Sequence, residues 1–217
     1  SNCQRPQFFQ DTTAAHFFLE KTLNKLQEQG YLSANLDAWK VNNTEGLAVL
    51  HVGQAWRWQI EVDSNALYIW EELRLDKYLG KQSPVQGKFA EQLLSKTIRY
   101  CETHGYPFAK AQWKTTLIEP ELLRSHLALD QGLPILFDTI RVVGDIAIKQ
   151  KFLSNYLGIF PNKPFNQRLL EEAQDALGQL PYLRLKKPLQ TAFLFDRAFP
   201  VLHLVEENAN RIDGVIG

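Results

Sequence analysis

A tyrosine follows the C-terminal end of three predicted helices at nearly constant spacing. The pairs Gly30-Tyr31, Gly105-Tyr106 and Pro181-Tyr182 recur at intervals of 75 and then 76 residues. Each pair ends an amphipathic helix and precedes a run in which apolar and polar residues alternate, which is typical of a half-buried strand. Self-similarity at a fixed period indicates a tandem array, so the sequence predicts repeated small α+β units rather than one domain of 217 residues.

The second and third units share one order of predicted elements, which is strand, helix, helix, strand, strand. In the second unit Trp58 and Ile60 alternate with polar residues along the opening strand, and in the third unit the opening strand covers residues 137–143. The first unit lacks an obvious opening strand and first helix, so we interpret it as a truncated copy, with Gln7-Phe8-Phe9 as a candidate short edge strand. The predicted boundaries are 1–54, 55–133 and 134–207 for the three units and 208–217 for a linker.

Charge and hydropathy limit the classes of partner. Lysine plus arginine equals aspartate plus glutamate at 24 each, so no net field favours nucleic acid or an anionic lipid surface. The alternation Trp56-Arg57-Trp58 is compatible with an aromatic surface that stacks on single-stranded nucleic acid. The stronger interpretation is that alternation directs the rings into a core and the cation into solvent. Hydrophobic residues make up 45% of the chain. No run approaches the ~20 apolar residues that a membrane-spanning helix needs.

The two cysteines are too few for a disulfide framework. Cys101 lies on the apolar side of a predicted helix, where a thiol behaves as a small buried hydrophobic group. Cys3 lies in a polar N-terminal stretch and is expected to be exposed, so a native pairing of the two is disfavoured. The sequence contains no methionine, even at position 1, which indicates a processed or excised segment of a longer chain.

No constellation of catalytic, cofactor-binding or metal-binding residues is evident. The pairs Glu71-Glu72 and Glu171-Glu172 fall on predicted helices, where neighbouring side chains diverge and usually form a solvated face. Glycine-rich phosphate-binding motifs and the spacings of metal ligands are missing from the sequence. The sequence therefore predicts neither an enzyme nor a cofactor. The histidines are scattered over different units, and those in strand patterns are interpreted as solvated or hydrogen-bonded: His16, His51, His104, His126 and His203.

Small three-stranded units expose the edges of their sheets. An unpaired edge strand presents a row of backbone donors and acceptors, with which an extended segment of another chain can pair. Most edge strands bind nothing, and lysines such as Lys110 and Lys114 also protect an edge against aggregation. The edges are nevertheless the main binding surface that this pattern predicts.

The order of these motifs resembles POTRA domains, the polypeptide-transport-associated modules that precede the β-barrel of outer-membrane assembly and secretion proteins such as BamA and TamA. The segment Gly105-Tyr106-Pro107-Phe108-Ala109 is similar to the helix-end element of the family, and Gly30-Tyr31-Leu32-Ser33-Ala34 is a second copy. Further matching segments lie in the third unit: Ile140-Arg141-Val142-Val143-Gly144-Asp145, Phe152-Leu153, Leu157-Gly158-Ile159, Pro164-Phe165-Asn166 and Leu180-Pro181-Tyr182.

The resemblance implies an α+β fold of tandem strand-helix-helix-strand-strand units, each a three-stranded sheet covered by two helices. It implies a periplasmic arm that precedes a C-terminal β-barrel in the outer membrane, with residues 208–217 leading into the barrel. The partners expected from it are unfolded outer-membrane or secreted polypeptides and accessory periplasmic subunits. It also implies that the second strand of each unit is the docking edge, at about 32–40, 108–116 and 189–196. The residues assigned to these edges are Phe108, Lys110, Gln112, Lys114, Leu189, Thr191 and Phe193.

Three functions are therefore open. The first is a non-enzymatic binding module that receives client or accessory chains along strand edges by β-augmentation. The second is a rigid spacer that binds a partner subunit without handling clients. The third and most remote is an enzyme whose site lies between units.

Overall fold

The computed structural model describes residues 9–42, 46–144, 146, 148–180 and 183–206, and the structural statements below refer to these residues. Its helices are amphipathic, and two of them begin at side-chain caps: Asp11 accepts a hydrogen bond from the N–H of Ala14, and Asn166 accepts from the N–H of Arg168. The α-helices are α1 (Thr12–Glu28), α2 (Ser64–Glu72), α3 (Gly87–Thr103), α4 (Gln150–Leu157) and α5 (Gln167–Gly178).

The strands have between two and ten residues, and they form three separate sheets in the described part of the chain. They are β1 (Asn35–Val41), β2 (Gly46–His51), β3 (Arg57–Val62), β4 (Gln82–Pro84), β5 (Lys110–Glu119), β6 (Leu122–Asp130), β7 (Leu136–Phe137), β8 (Arg141–Val143), β9 (Leu183–Leu185), β10 (Gln190–Leu194) and β11 (Arg197–Glu206).

The chain divides into two compact units. The first comprises Ser1–Ser95 and Gln112–Ala128, and the second comprises Lys96–Ala111 and Leu129–Gly217. Helices and sheets alternate along both, so the predicted α+β class is confirmed. The boundaries 1–54, 55–133 and 134–207 stay a prediction.

The first sheet is an antiparallel pair of β1 and β2. Trp39 lies opposite Ala48, and its ring is 5.2 Å from that of His16 on α1. Helix α1 buries Ala15 and Leu19. This small sheet therefore has a helix over one face.

The second sheet has the order β4-β3-β6-β5. All six residues of β3 pair in parallel with Leu122–Leu127 of β6. The inner side chains of β3, Trp58 and Ile60, are buried together with Trp70 of α2, as the alternating pattern predicted. Strand β4 lies between the two helices α2 and α3, where the predicted order of elements has no strand.

The third sheet is built around the long strand β11. On one side β11 pairs antiparallel with β9 and β10, and on the other it pairs in parallel with β7 and β8. Each flank is one strand position interrupted by a short irregular segment, so the five strands of this sheet occupy the predicted three positions. The second sheet has four strands and the first has two among the described residues. Its inner side chains pack on α4 and α5 in one hydrophobic core that contains Phe137, Leu153, Phe165, Leu177 and Leu202.

The repeated glycine-tyrosine pairs form the same turn in two places. The N–H of Tyr31 donates to the carbonyl of Leu26 at 3.1 Å, and 75 positions later the N–H of Tyr106 donates to the carbonyl of Cys101 at 2.9 Å. These are the hydrogen bonds by which a glycine with positive φ ends a helix. The third pair, Pro181-Tyr182, lies outside the described residues.

Each of these glycines also binds a later segment of the same compact unit through its carbonyl oxygen. The carbonyl of Gly30 accepts the N–H of Trp56 at 2.8 Å, directly before β3, and the carbonyl of Gly105 accepts the N–H of Ile135 at 2.7 Å, directly before β7. The period that is visible in the sequence therefore corresponds to a repeated backbone contact between a helix end and the start of a following strand.

We expect the two glycines to differ in their tolerance of a side chain. Both have positive φ, which costs an L-residue about 1 to 2 kcal/mol. A Cβ on Gly30 would lie 2.4 Å from the carbonyl oxygen of Trp56, whereas the nearest atom to a Cβ on Gly105 is 3.6 Å away. In denaturant unfolding, Gly30→Ala should therefore lower the free energy of unfolding by about 1 to 3 kcal/mol more than Gly105→Ala, because backbone must shift.

The control is Gly178→Ala in α5, where a Cβ meets no atom within 4 Å. That substitution should leave stability unchanged or raise it, since alanine favours the helix. Equal losses for Gly30→Ala and Gly105→Ala would contradict the anchoring role of the Gly30 turn.

Candidate polypeptide-binding edges

Successive residues of β11 direct their backbone N–H and C=O groups alternately to the strands on its two sides. The N–H of Asp138 donates to the carbonyl of Ala198, and the N–H of Lys186 donates to the carbonyl of His203, both at 2.8 Å. Because the N–H and C=O of one strand residue point to the same side, even-numbered residues of β11 face β7 and β8, and odd-numbered residues face β9 and β10.

This alternation fixes the orientation of β10. Its residues Gln190 and Ala192 lie opposite Val201 and Phe199, which are odd-numbered positions of β11. They therefore form the hydrogen-bonded pairs, and the residues between them, including Thr191, direct their N–H and C=O away from β11. In the described residues no strand pairs with β10 on that outer side.

Three residues assigned to this edge from the sequence lie at outward-facing positions of the chain. Thr191 and Phe193 are in β10 and present their backbone groups to the open side. Leu189 precedes β10, and its N–H already donates to Oε1 of Gln174 at 3.0 Å. The open backbone of β10 therefore begins at Thr191.

The same reasoning orients β5. The N–H of Asp63 donates to the carbonyl of Leu127 at 3.1 Å, so odd-numbered residues of β6 face β3. The hydroxyls of Thr115 and Ser125 are 3.0 Å apart, which places Thr115 on the same face as an odd-numbered residue of β6. Since odd-numbered residues of β6 direct their backbone groups to β3, a β5 residue opposite one of them forms a non-hydrogen-bonded pair. The N–H and C=O of Thr115 therefore point away from β6. By alternation those of Ala111 and Trp113 do so too.

The residues assigned to the β5 edge divide into two groups. Phe108 precedes the strand and is 51% exposed. Lys110, Gln112 and Lys114 are exposed in side chain, but they alternate with the outward-facing positions, so their backbone groups face β6. Their side chains flank the edge while the neighbouring odd-numbered residues supply its hydrogen-bonding groups.

The opposite edge of each of these two sheets is covered or blocked by the chain itself. In the second sheet the outer strand β4 has three residues and ends in Pro84, which has no N–H. In the third sheet both backbone groups of Phe137 are taken, since its N–H donates to Lys163 and its carbonyl accepts from Asn162, each at 2.8 Å. Strands β4 and β7 are thus guarded, whereas β5 and β10 have no partner strand on their outer sides among the described residues.

Aromatic residues distant in sequence meet at the β10 edge. The ring of Phe193 lies 4.7 Å from that of Phe108 and 5.7 Å from that of the buried Phe165. Phe193 is still 38% exposed, and Phe195 in the following turn is 92% exposed. An extended chain that pairs with β10 would lie beside this apolar surface. Sequence periodicity gave no sign that Phe108 and Phe193 are in contact.

Two pairs of ionisable side chains link elements within the compact units. Arg99 holds Glu171 with two hydrogen bonds, one of 2.8 Å, and these lower the pKa of the glutamate. Nε2 of His126 is 2.6 Å from Oδ1 of Asp63. Burial raises the pKa of the Cys101 thiol, which favours the neutral form, whereas Cys3 lies outside the described residues.

The described residues contain no cluster of three or more His, Cys, Asp or Glu side chains suited to a metal ion. None of the described helices combines the length and the apolar character that crossing a membrane requires.

The orientation of β10 is testable by proline substitution. Thr191→Pro removes an N–H that points to the open side, so the free energy of unfolding should change by less than about 1 kcal/mol. Ala192→Pro, one residue further, removes a hydrogen bond to β11 and should cost about 3 kcal/mol or more. Denaturant unfolding of both variants measures this difference. The reverse order of stabilities would mean that the alternation is assigned wrongly.

No protein-family model matches the chain, and its sequence matches no curated protein. Solved structures do match it. The chain is similar to the crystal structure of POTRA3-5 of Haemophilus influenzae BamA, with a TM-score of 0.52 and 13% identity over 88% of this chain and 80% of that chain. It is also similar to BamA from Haemophilus ducreyi lacking POTRA domains 1-3, with a TM-score of 0.56 and 13% identity. That match covers 71% of this chain and 30% of the other.

Both matches concern the fold. They confirm that the chain has the architecture of tandem POTRA domains, as the motif order indicated.

Proposed function

We propose that this chain is the periplasmic arm of an outer-membrane protein assembly or translocation factor and that it binds polypeptides without catalysis. The POTRA-like fold supports this proposal, since similar structures belong to BamA proteins. A β-barrel in the outer membrane is the expected neighbour of such an arm. Residues 208–217, assigned to the linker that leads into it, lie outside the described residues.

The observation that carries the binding proposal is the difference between the two edges of a sheet. In the second sheet the outer strand β4 is short and ends in proline, and in the third sheet β7 is hydrogen-bonded to a loop of its own unit. The other edge of each sheet has no partner strand in the part of the chain that the structure describes. Natural proteins protect edge strands that have no partner. The strands β5 and β10 keep free backbone groups, so we assign them as docking edges for extended clients.

The chemistry of the edges indicates which clients fit. Backbone hydrogen bonds supply affinity without demanding a particular sequence, which suits unfolded outer-membrane or secreted polypeptides. At β10 the exposed rings of Phe193 and Phe108 add an apolar contact surface. At β5 the side chains of Lys110 and Lys114 limit uncontrolled pairing while leaving the backbone accessible.

Photo-crosslinking tests this proposal. A photoreactive residue at Lys114 or Ala192 should crosslink to an unfolded outer-membrane β-barrel precursor. Ala111→Pro and Thr191→Pro each remove one outward N–H, and we expect each to reduce the crosslink at its own strand at least about tenfold, because a strand cannot pair across a missing donor. The matched controls Ala111→Val and Thr191→Val keep the N–H and should keep the crosslink.

Crosslinks that survive both proline variants would contradict edge docking. Such a result would favour the spacer function, in which the units bind a partner subunit and clients are handled elsewhere. A fold check by circular dichroism on each variant separates loss of binding from loss of structure.

A further inference from the structure

The turn between β10 and β11 contains a residue that disfavours the local backbone. Leu194 pairs with Arg197, so Phe195 and Asp196 are the two turn residues. The φ of Phe195 is +52°. The first residue of a two-residue hairpin turn is usually Gly, Asn or Asp, because a positive φ brings the Cβ of a bulky residue too close to the backbone. Phe195 therefore holds a strained conformation.

Phe195 gains no burial in return for this strain. It is 92% exposed, the highest value among the large hydrophobic residues that the structure describes. The other described non-glycine residues with positive φ are polar, namely Arg74, Glu121 and Asn162. Glu121 lies at the tip of the equivalent hairpin, between β5 and β6. Strain that the fold itself does not require is found where a residue serves binding or catalysis, so Phe195 is a candidate binding residue.

Polar contacts hold the base of this turn in place. The carbonyl of Asp196 accepts the N–H of Leu136 at 2.9 Å. Nη1 of Arg197 donates to Oδ1 of Asn162 at 2.6 Å. The turn therefore presents its aromatic ring on a base that is already ordered, which lowers the entropic cost of binding a partner.

Charge distinguishes a protein from a lipid surface as the partner of this turn. Leu194, beside Phe195, is 54% exposed and extends the apolar surface. The charges at the turn cancel, since Nε of Arg197 lies 3.7 Å from Oδ1 of Asp196. An anionic lipid surface attracts segments with an excess of Lys and Arg, which this turn lacks. An aromatic anchor with a polar, charge-balanced rim is typical of a protein–protein interface.

The turn is distant from the segment that is predicted to lead into a barrel. Strand β11 has ten residues, so Glu206 at its end lies about 30 Å from the turn. Residues 208–217, assigned to the linker, continue from that distant end. A separate protein is therefore a better occupant for the turn than the predicted barrel.

We propose that Phe195 and Leu194 insert into an apolar pocket of a folded accessory protein. A folded protein offers a preformed pocket that excludes water from the ring, whereas an extended client does not. This inference goes beyond the proposed function, because the partner binds side chains of a turn and not backbone groups of a strand edge. It rests on that function only in placing the partner in the periplasm.

Photo-crosslinking in cells tests for this partner. In the full-length protein in its native cells, p-benzoylphenylalanine at position 195 should give one discrete product with a folded protein. The attachment site, mapped by mass spectrometry, should lie in an apolar pocket of that protein. The matched control is the same photoreactive residue at Phe152 in α4, which is 41% exposed in the same compact unit and should not give this product.

Substitutions at the turn separate loss of binding from loss of structure. Phe195→Asn removes the ring and suits a positive φ, so it should raise the melting temperature by about 2 to 4 °C. It should also reduce co-purification of the crosslinked partner at least about tenfold. Phe195→Ala removes the ring without relieving the strain, so it should lose the partner without the gain in melting temperature. Phe195→Tyr keeps a ring and should retain the partner.

Four results would each overturn the inference. They are an unchanged or lower melting temperature of Phe195→Asn, no product at position 195, a product with lipid or an unfolded client, and a product with a second copy of the chain. Ala111→Pro and Thr191→Pro should leave the product at position 195 intact, and Phe195→Asn should leave the client crosslink at Lys114 intact. These variants distinguish failure at the turn from failure of docking at the strand edges.

Discussion

The hydrogen bonds that Gly30 and Gly105 accept from the residues directly before two later strands are the constraint on which the two described repeats depend. Each glycine ends a helix with positive φ and offers its carbonyl to the segment that opens a following strand, at Trp56 or at Ile135. A residue with a Cβ at Gly30 would collide with the backbone that it binds. The spacing of the glycine-tyrosine pairs in the sequence therefore reflects a contact that positions a sheet against the end of a helix.

The open edges follow from the connections between elements. In the second sheet, β3 enters beside β6 and is followed by α2, β4 and α3, so that edge is closed by local chain. In the third sheet, the loop after α4 hydrogen-bonds to β7 in the same manner. The strands β5 and β10 come first in their hairpins and lie on the other side of β6 and β11, where no described element covers them. One guarded edge and one open edge are thus a property of the element order itself.

The sequence predicted the features that depend on local pattern. Helix ends marked by glycine, the buried face of Trp58 and Ile60, and the order of elements all follow from periodicity and turn chemistry. Strand β4 was missed because it has three residues, one of them Pro84, which is too short for an alternating pattern. Strand β9 was missed for a similar reason, since Leu183–Leu185 is held by pairing with the end of β11 rather than by its own sequence. The contact of Phe108 with Phe193 joins residues distant in sequence, and no local pattern encodes it.

The docking edges show the limit of sequence analysis most clearly. The resemblance to POTRA domains assigned Lys110, Gln112 and Lys114 to the docking edge, but the groups that can pair with a client belong to the backbone. Which backbone groups face outward depends on strand register, and a shift of one residue exchanges the two sets. Register became readable only from long-range contacts, namely Asp63 with Leu127 and Thr115 with Ser125.

The alternation of backbone direction also explains why β11 tolerates Pro200. This even-numbered residue faces the side of β7 and β8, and its missing N–H falls at the interruption between those two strands, where no donor is required.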